Sequence, residues 1–143
     1  MARKTYDLED RLLEDAARVI DLVDQLPASR SGNHIAGQLL RSGTSPLPNH
    51  GEAQAAESSN DFVHKMRVCL KEFREWRRWL RLIKRSPRLK LASGLDPQPL
   101  IDETEELIKI FFSSVRTAMR ESDDPEPPMK GADRAFGARP LRA

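Results

Sequence analysis

Residues 60–85 read NDFVHKMRVCLKEFREWRRWLRLIKR, and this stretch decides the fold. Its apolar residues Phe62, Met66, Cys69, Phe73, Trp76, Leu80 and Ile83 follow one another at intervals of four and three, seven positions without a miss. That is the period of a helix packed at a shallow angle against other helices, since a repeat of about 3.5 residues keeps one seam facing its partner. On the far side the same interval picks out Arg67, Lys71, Arg74, Arg78, Arg81 and Arg85. One helix therefore carries a buried seam and a cationic row back to back.

Upstream, Ser58, Ser59 or Asn60 can cap this helix, and Pro87 ends it. Ahead of it lies a second helix, opened by Ser29 or Ser31, with Ile35, Ala36, Leu39 and Leu40 as its buried side. Pro46 and Pro48 each remove a backbone donor and crowd the preceding turn, which predicts a kink or break near 43–48 and helix again to about Glu57. Small residues at Ser42, Gly43, Ser45, Gly51, Ala53, Ala55 and Ala56 would let a neighbouring helix come close. Asn49 and Glu52 lie beside that stretch and are expected to cap or hydrogen-bond across the break. Leu12, Ala16, Val19, Val23 and Leu26, flanked by Leu13 and Ile20, predict a first helix that Asp7 can cap and Pro27 stops.

Downstream, Pro87 to Pro99 is a turn-rich connection, and a fourth helix starts near Pro99 or Leu100. Its seam is Ile101, Thr104, Ile108, Phe111, Val115 and Ala118. The reading is an all-α, antiparallel up-and-down four-helix bundle over residues 7–122, with the second helix kinked or broken near 43–48. Residues 1–6 form a flexible N-terminus, and 123–143, which opens Asp-Asp-Pro-Glu-Pro-Pro, is expected to be a disordered tail.

The apolar faces are wider than one bundle seam needs. Val68, Trp79 and Leu82 on the third helix, with Ile110 and Phe112 on the fourth, are the expected oligomer interface, Trp79 foremost because tryptophan is enriched at interface centres. Charge is unevenly spread along a chain of 143 residues and net charge +2. Residues 7–26 hold seven acids against two arginines, residues 64–90 hold eleven Lys and Arg against Glu72 and Glu75, and residues 101–124 hold seven acids against three bases. Either an acidic, a basic and an acidic helix attract one another within the bundle, or the basic one serves an anionic partner. Glu72 and Glu75 are expected to pair with arginines one turn away on their own helix, and Arg81 with the acidic helices.

Residues 34–82 resemble the 23S ribosomal RNA intervening-sequence proteins. The resemblance is carried by His34-Ile-Ala-Gly-Gln-Leu-Leu-Arg-Ser-Gly-Thr-Ser, Asn49, Glu52-Ala-Gln-Ala-Ala-Glu-Ser and Asp61-Phe-Val-His-Lys-Met, then by Leu70-Lys-Glu, Glu75 and Trp79-Leu-Arg-Leu. It extends more loosely over 7–122. It implies a small bacterial up-and-down bundle that assembles into a homopentamer, with no catalytic residues to carry over. A related branch, the accessory variability determinant of diversity-generating retroelements, is a basic pentamer that works with a reverse transcriptase and RNA. The chain departs from the family pattern at Pro46-Leu47-Pro48, where a branched residue, Gly or Pro and a small residue are usual, and at Gly51.

Three functional classes follow. The first is a non-catalytic binding module that neutralises RNA or DNA phosphates with Arg67, Lys71, Arg74, Arg78, Arg81 and Arg85. The second is a homo-oligomeric scaffold or accessory subunit whose partner is a protein. An enzyme is disfavoured. Helical-bundle ribonucleases of the HEPN type place four to six residues between Arg and His, whereas Arg30 to His34 is too short and Arg41 to His50 too long. No Glu-x-x-His pair is present for a carboxylate-bridged metal site, and Asp61-x-x-His64 reads as capping and surface. His34 and His50 stand alone, and Cys69 sits on the apolar seam as a small hydrophobe. No P-loop, dinucleotide fingerprint or serine elbow occurs, so no catalytic residue, metal or cofactor is expected. No apolar run approaches the roughly 18 residues of a membrane span, and Met1-Ala-Arg-Lys leads into acidic helix rather than a signal-peptide core, so a cytoplasmic protein is expected.

Overall fold

The structure, a computed structural model, describes residues 7–123; the expected flexible start at 1–6 and the tail beyond 123 lie outside them. Helix α1 spans Leu8–Val23 and buries Leu12, Asp15, Ala16, Val19, Leu22 and Val23. Glu9 and Asp10 in its first turn complement the helix dipole. Asp7 occupies the N-cap position, but its side chain makes no capping hydrogen bond, contrary to the sequence expectation. The chain then turns through Leu26 and Pro27 into α2, Arg30–Thr44. Ser29 caps α2, its Oγ accepting from the Gly32 amide at 3.0 Å. Gly32 must be glycine here, because a Cβ would sit 1.9 Å from the Pro27 carbonyl oxygen.

Helix α3, Pro46–Gln54, follows α2 after a single residue. Ser45 keeps right-handed helical angles (φ −60°, ψ −37°), so the chain bends rather than breaks. Pro46 and Pro48 supply the missing donors that make the bend. Asn49 secures it, its Nδ2 donating to both the carbonyl and the hydroxyl oxygen of Ser45 at 3.0 Å. Ser42 and Thr44 also donate back to Gln38 and Leu40 carbonyls, a habit that curves helices. Gly43 lets α2 come close to α1, since a Cβ there would meet the Val19 methyls at 2.8 Å.

Helix α4, Ser59–Arg85, is the 27-residue element expected from the seam, roughly 40 Å long. Ser58 caps it by accepting from the Asp61 amide at 3.0 Å. Ser86 turns extended ahead of Pro87, which ends the helix. The connection carries a 3-10 turn at Pro87–Leu89, buries Leu89 and Leu91, and ties Ala92 to the Gln25 carbonyl at 3.0 Å. Gly94 takes the one left-handed angle among the described residues (φ 75°). Helix α5, Gln98–Asp123, begins where Asp96 accepts from the Gln98 amide at 3.0 Å.

Helix α1 packs on α2 and α3, that bent pair packs on α4, and α4 packs on α5 along most of its length. The bent pair thus forms one of the four walls of an all-α four-helix bundle, as the periodicities require. Phe73, Trp76 and Phe111 fill the middle, with the Phe73 and Phe111 rings edge to face at 4.9 Å. Each such side chain contributes roughly 1.5–3 kcal/mol by leaving water. Leu40 departs from the sequence expectation. It is 40% exposed, and Leu13 and Ile20 on α1 are 47% and 46% exposed.

Candidate nucleic-acid interface

The long seam of α4 turns Met66, Cys69, Phe73, Trp76, Leu80 and Ile83 inward, and the period that does so sends its cations outward. Arg67, Lys71, Arg74, Arg78, Arg81 and Arg85 are all exposed. None lies within 4.0 Å of a carboxylate among the described residues, so the row forms no ion pairs with the acidic helices and Arg81 lacks the pair expected of it. Arg67 instead donates to the Met119 sulfur on α5 at 3.1 Å. Of the other cations of α4, Lys65 pairs with Glu52 of α3 at 2.6 Å, Lys84 lies 3.6 Å from Asp96, and Arg77 has no carboxylate within 4.0 Å among the described residues.

Glu72 and Glu75 of α4 do not pair along their own helix. Arg41, from α2, reaches across to both, lying 3.2 Å from Glu72 and forming a second pair with Glu75. One guanidinium is thereby shared between Glu72 and Glu75, which draws both toward α2 rather than into ion pairs with the row. Glu52, expected beside the bend, joins α3 to α4 through Lys65.

Two open grooves border the row. One, about 610 Å³, runs between α4 and α5 and is lined by Arg81, Lys84, Arg85, Gln98, Ile101 and Glu105. The other, about 560 Å³, is lined by Lys71, Arg74, Glu75, Arg78, Trp79 and Leu82. Of the five residues expected at an oligomer interface, Trp79 and Leu82 share the second groove. Trp79 is half-buried beside His34 of α2, the rings edge to face at 6.3 Å, and Leu82 is exposed in the same groove. Val68 is half-buried, and Ile110 is half-buried against the core. Phe112 is exposed on α5 under the Arg116 guanidinium, 5.8 Å from its ring centre.

Three buried polar groups are placed by the fold. Burial pushes the Cys69 thiol up to about 12, which leaves it protonated and unreactive, as its seam position implies. Asp15 is 2% exposed, and burial, reinforced by Glu103 of α5, raises its carboxyl to about 7 against the pull of Arg18 and Arg11. His50 is buried beside Phe111 at 5.7 Å, and burial holds its imidazole below the usual value, opposed weakly by Glu9. The sequence reading missed the last two. For Asp15 a signal existed: it stands three residues after Leu12 and four before Val19, on the seam itself.

Among the described residues no three His, Cys, Asp or Glu side chains are placed to hold a metal ion, and no helix is long and apolar enough to cross a membrane. A solved structure from Bacteroides thetaiotaomicron, a protein of unknown function from the S23 ribosomal protein family, is similar to this chain with a TM-score of 0.65 and 31% sequence identity. The alignment covers 75% of this chain and 96% of that one. No family model matches the chain, and neither does any curated protein.

Proposed function

The chain belongs to the S23 ribosomal protein family, and from that premise we propose that it is a non-catalytic, homo-oligomeric bundle protein that binds RNA or DNA through the cationic row of α4. One observation carries the reading: six cations, from Arg67 to Arg85, stand exposed on one helix with no carboxylate within 4.0 Å among the described residues. Clustered, unpaired Lys and Arg neutralise phosphates and release their counterions, which requires positive charge in a row and no particular fold. The resemblance to intervening-sequence proteins adds the expectation of a pentamer, which would present the row five times and raise its avidity.

Filter binding to RNA and DNA tests it. Retention is expected at low salt and falls steeply as salt rises, with log affinity losing about 0.7–0.9 per neutralised phosphate for each decade of salt. Replacing Arg74, Arg78 and Arg81 together by Glu abolishes retention with helicity unchanged; no affinity at low salt would end the proposal. A second reading, a scaffold for a protein partner, is supported by Leu13, Ile20 and Leu40, three large apolar side chains left open to solvent on α1 and α2. Light scattering distinguishes an oligomer from a monomer, and a monomer removes the homo-oligomer from both readings.

A further inference from the structure

The groove beside the cationic row holds an aromatic wall that charge neutralisation alone does not use. Its lining is Lys71, Arg74, Glu75, Arg78, Trp79 and Leu82, in a volume of about 560 Å³. The indole of Trp79 is oriented from two sides. Its Nε1–H donates to Glu75 Oε2 at 3.4 Å, the oxygen that also accepts from Arg41, and His34 packs edge-on at 6.3 Å with planes 84° apart. Glu75, the carboxylate in the lining, is drawn toward Arg41, and Lys71, Arg74 and Arg78 border the groove with no carboxylate within 4.0 Å among the described residues. They occupy successive turns, spread over about 10 Å of helix axis.

An oriented indole bordered by a row of free cations matches one ligand chemistry. A planar base lies against the ring while the phosphates attached to it meet the Lys and Arg side chains. A duplex cannot do this, because its bases are already stacked and paired; an unpaired strand can. A protein partner fits less well, since covering Trp79 and Leu82 would also strip water from three cations, and that is costly unless each is paired.

We propose that the Trp79 groove is a base-stacking site and that the cationic row of α4 takes single-stranded nucleic acid in preference to duplex. The inference rests on the nucleic-acid reading above and adds the strand form to it.

The experiment measures fluorescence anisotropy of a labelled oligouridylate and of a duplex RNA of equal length, for the full-length protein and for Trp79→Leu and Trp79→Phe. Leucine keeps apolar packing and lacks a π-face, and phenylalanine restores one. Wild type is expected to favour the single strand. Trp79→Leu loses roughly tenfold for the single strand with duplex affinity unchanged, and Trp79→Phe recovers most of the loss. Equal loss on both ligands, or no loss on either, overturns the inference and leaves the nucleic-acid reading standing. A change in oligomeric size by light scattering without selective loss makes the groove a subunit contact and also overturns it. If wild type binds neither ligand at low salt, the nucleic-acid reading falls and takes the inference with it.

Discussion

Helix α5 meets α4 and α1 through different chemistry. Toward α4 it offers Phe111, packed edge to face on Phe73 in a dry aromatic core. Toward α1 it offers Glu103, which takes both prongs of Arg11 at 2.9 and 3.0 Å beside the buried carboxyl of Asp15. Apolar contact does not titrate with pH, and its strength grows with area. The ionic seam must balance desolvation against pairing, and Asp15 shows an imperfect balance, because its Oδ2 is buried with no hydrogen-bond partner. The bundle is therefore strongest along α4–α5 and conditional along α1–α5.

The largest expected effect breaks the apolar side. Phe73→Ala removes a fully buried ring and should cost about 3–5 kcal/mol in urea unfolding. A loss below about 1 kcal/mol would mean that the two seams do not differ in kind.

The polar side is tested by pH. Asp15 has its folded value raised to about 7 from an ordinary 3.8. Between those values the folded state holds a proton that the unfolded chain has released, so this group's contribution is full below about pH 4 and is lost as pH rises to about 7. Asp15→Asn should remove a loss on the order of 2–4 kcal/mol, seen as a variant more stable than wild type at pH 8 and nearly equal to it at pH 4. His50 works in the opposite sense. Its folded value is lowered from 6.5, so its contribution is present above 6.5 and lost on acidification. The difference between Asp15→Asn and wild type isolates the first effect.

Smaller effects refine how α1 is held. Gly43→Ala places a methyl 2.8 Å from the Val19 side chain and should cost about 1–3 kcal/mol, because both backbones must part. Arg11→Gln should cost below about 1 kcal/mol, since the Arg11–Glu103 pair is partly solvated at 30% and 23% side-chain exposure. It should also move the Asp15 transition to higher pH, because Arg11 pulls that carboxyl downward. A stability change larger than that of Phe73→Ala would reverse the ranking of the seams.

The same contrast explains what could be read before the fold was seen. The apolar seams of all four walls were legible, because burial on a helix follows a local period and α4 repeats it seven times. The bend at Ser45 was legible for the same reason, since Pro46 and Pro48 act on their own turn. The α1–α5 seam was not. Asp15 occupies a seam position that its charge disguised, and its burial depends on Arg18 and Arg11 favouring the carboxylate and on Glu103, with burial, favouring the proton. Leu40, expected on the buried side of α2, is exposed, because a flank residue's fate depends on which neighbour lies beside it. Glu72 and Glu75 were expected to pair within α4, and Arg41 of α2 takes them instead.

By itself, then, the sequence determined the helices, their inner faces, the bend and the row of cations along α4. These depend on spacing within one element and on backbone donors that proline lacks. Tertiary structure decided whether that row stays free. Charge acts through space, and residues far apart in the chain compete for each carboxylate. Arg41 draws Glu72 and Glu75 of α4 to itself while the acids of α1 and α5 keep more than 4.0 Å from the row, which leaves it open beside the Trp79 groove.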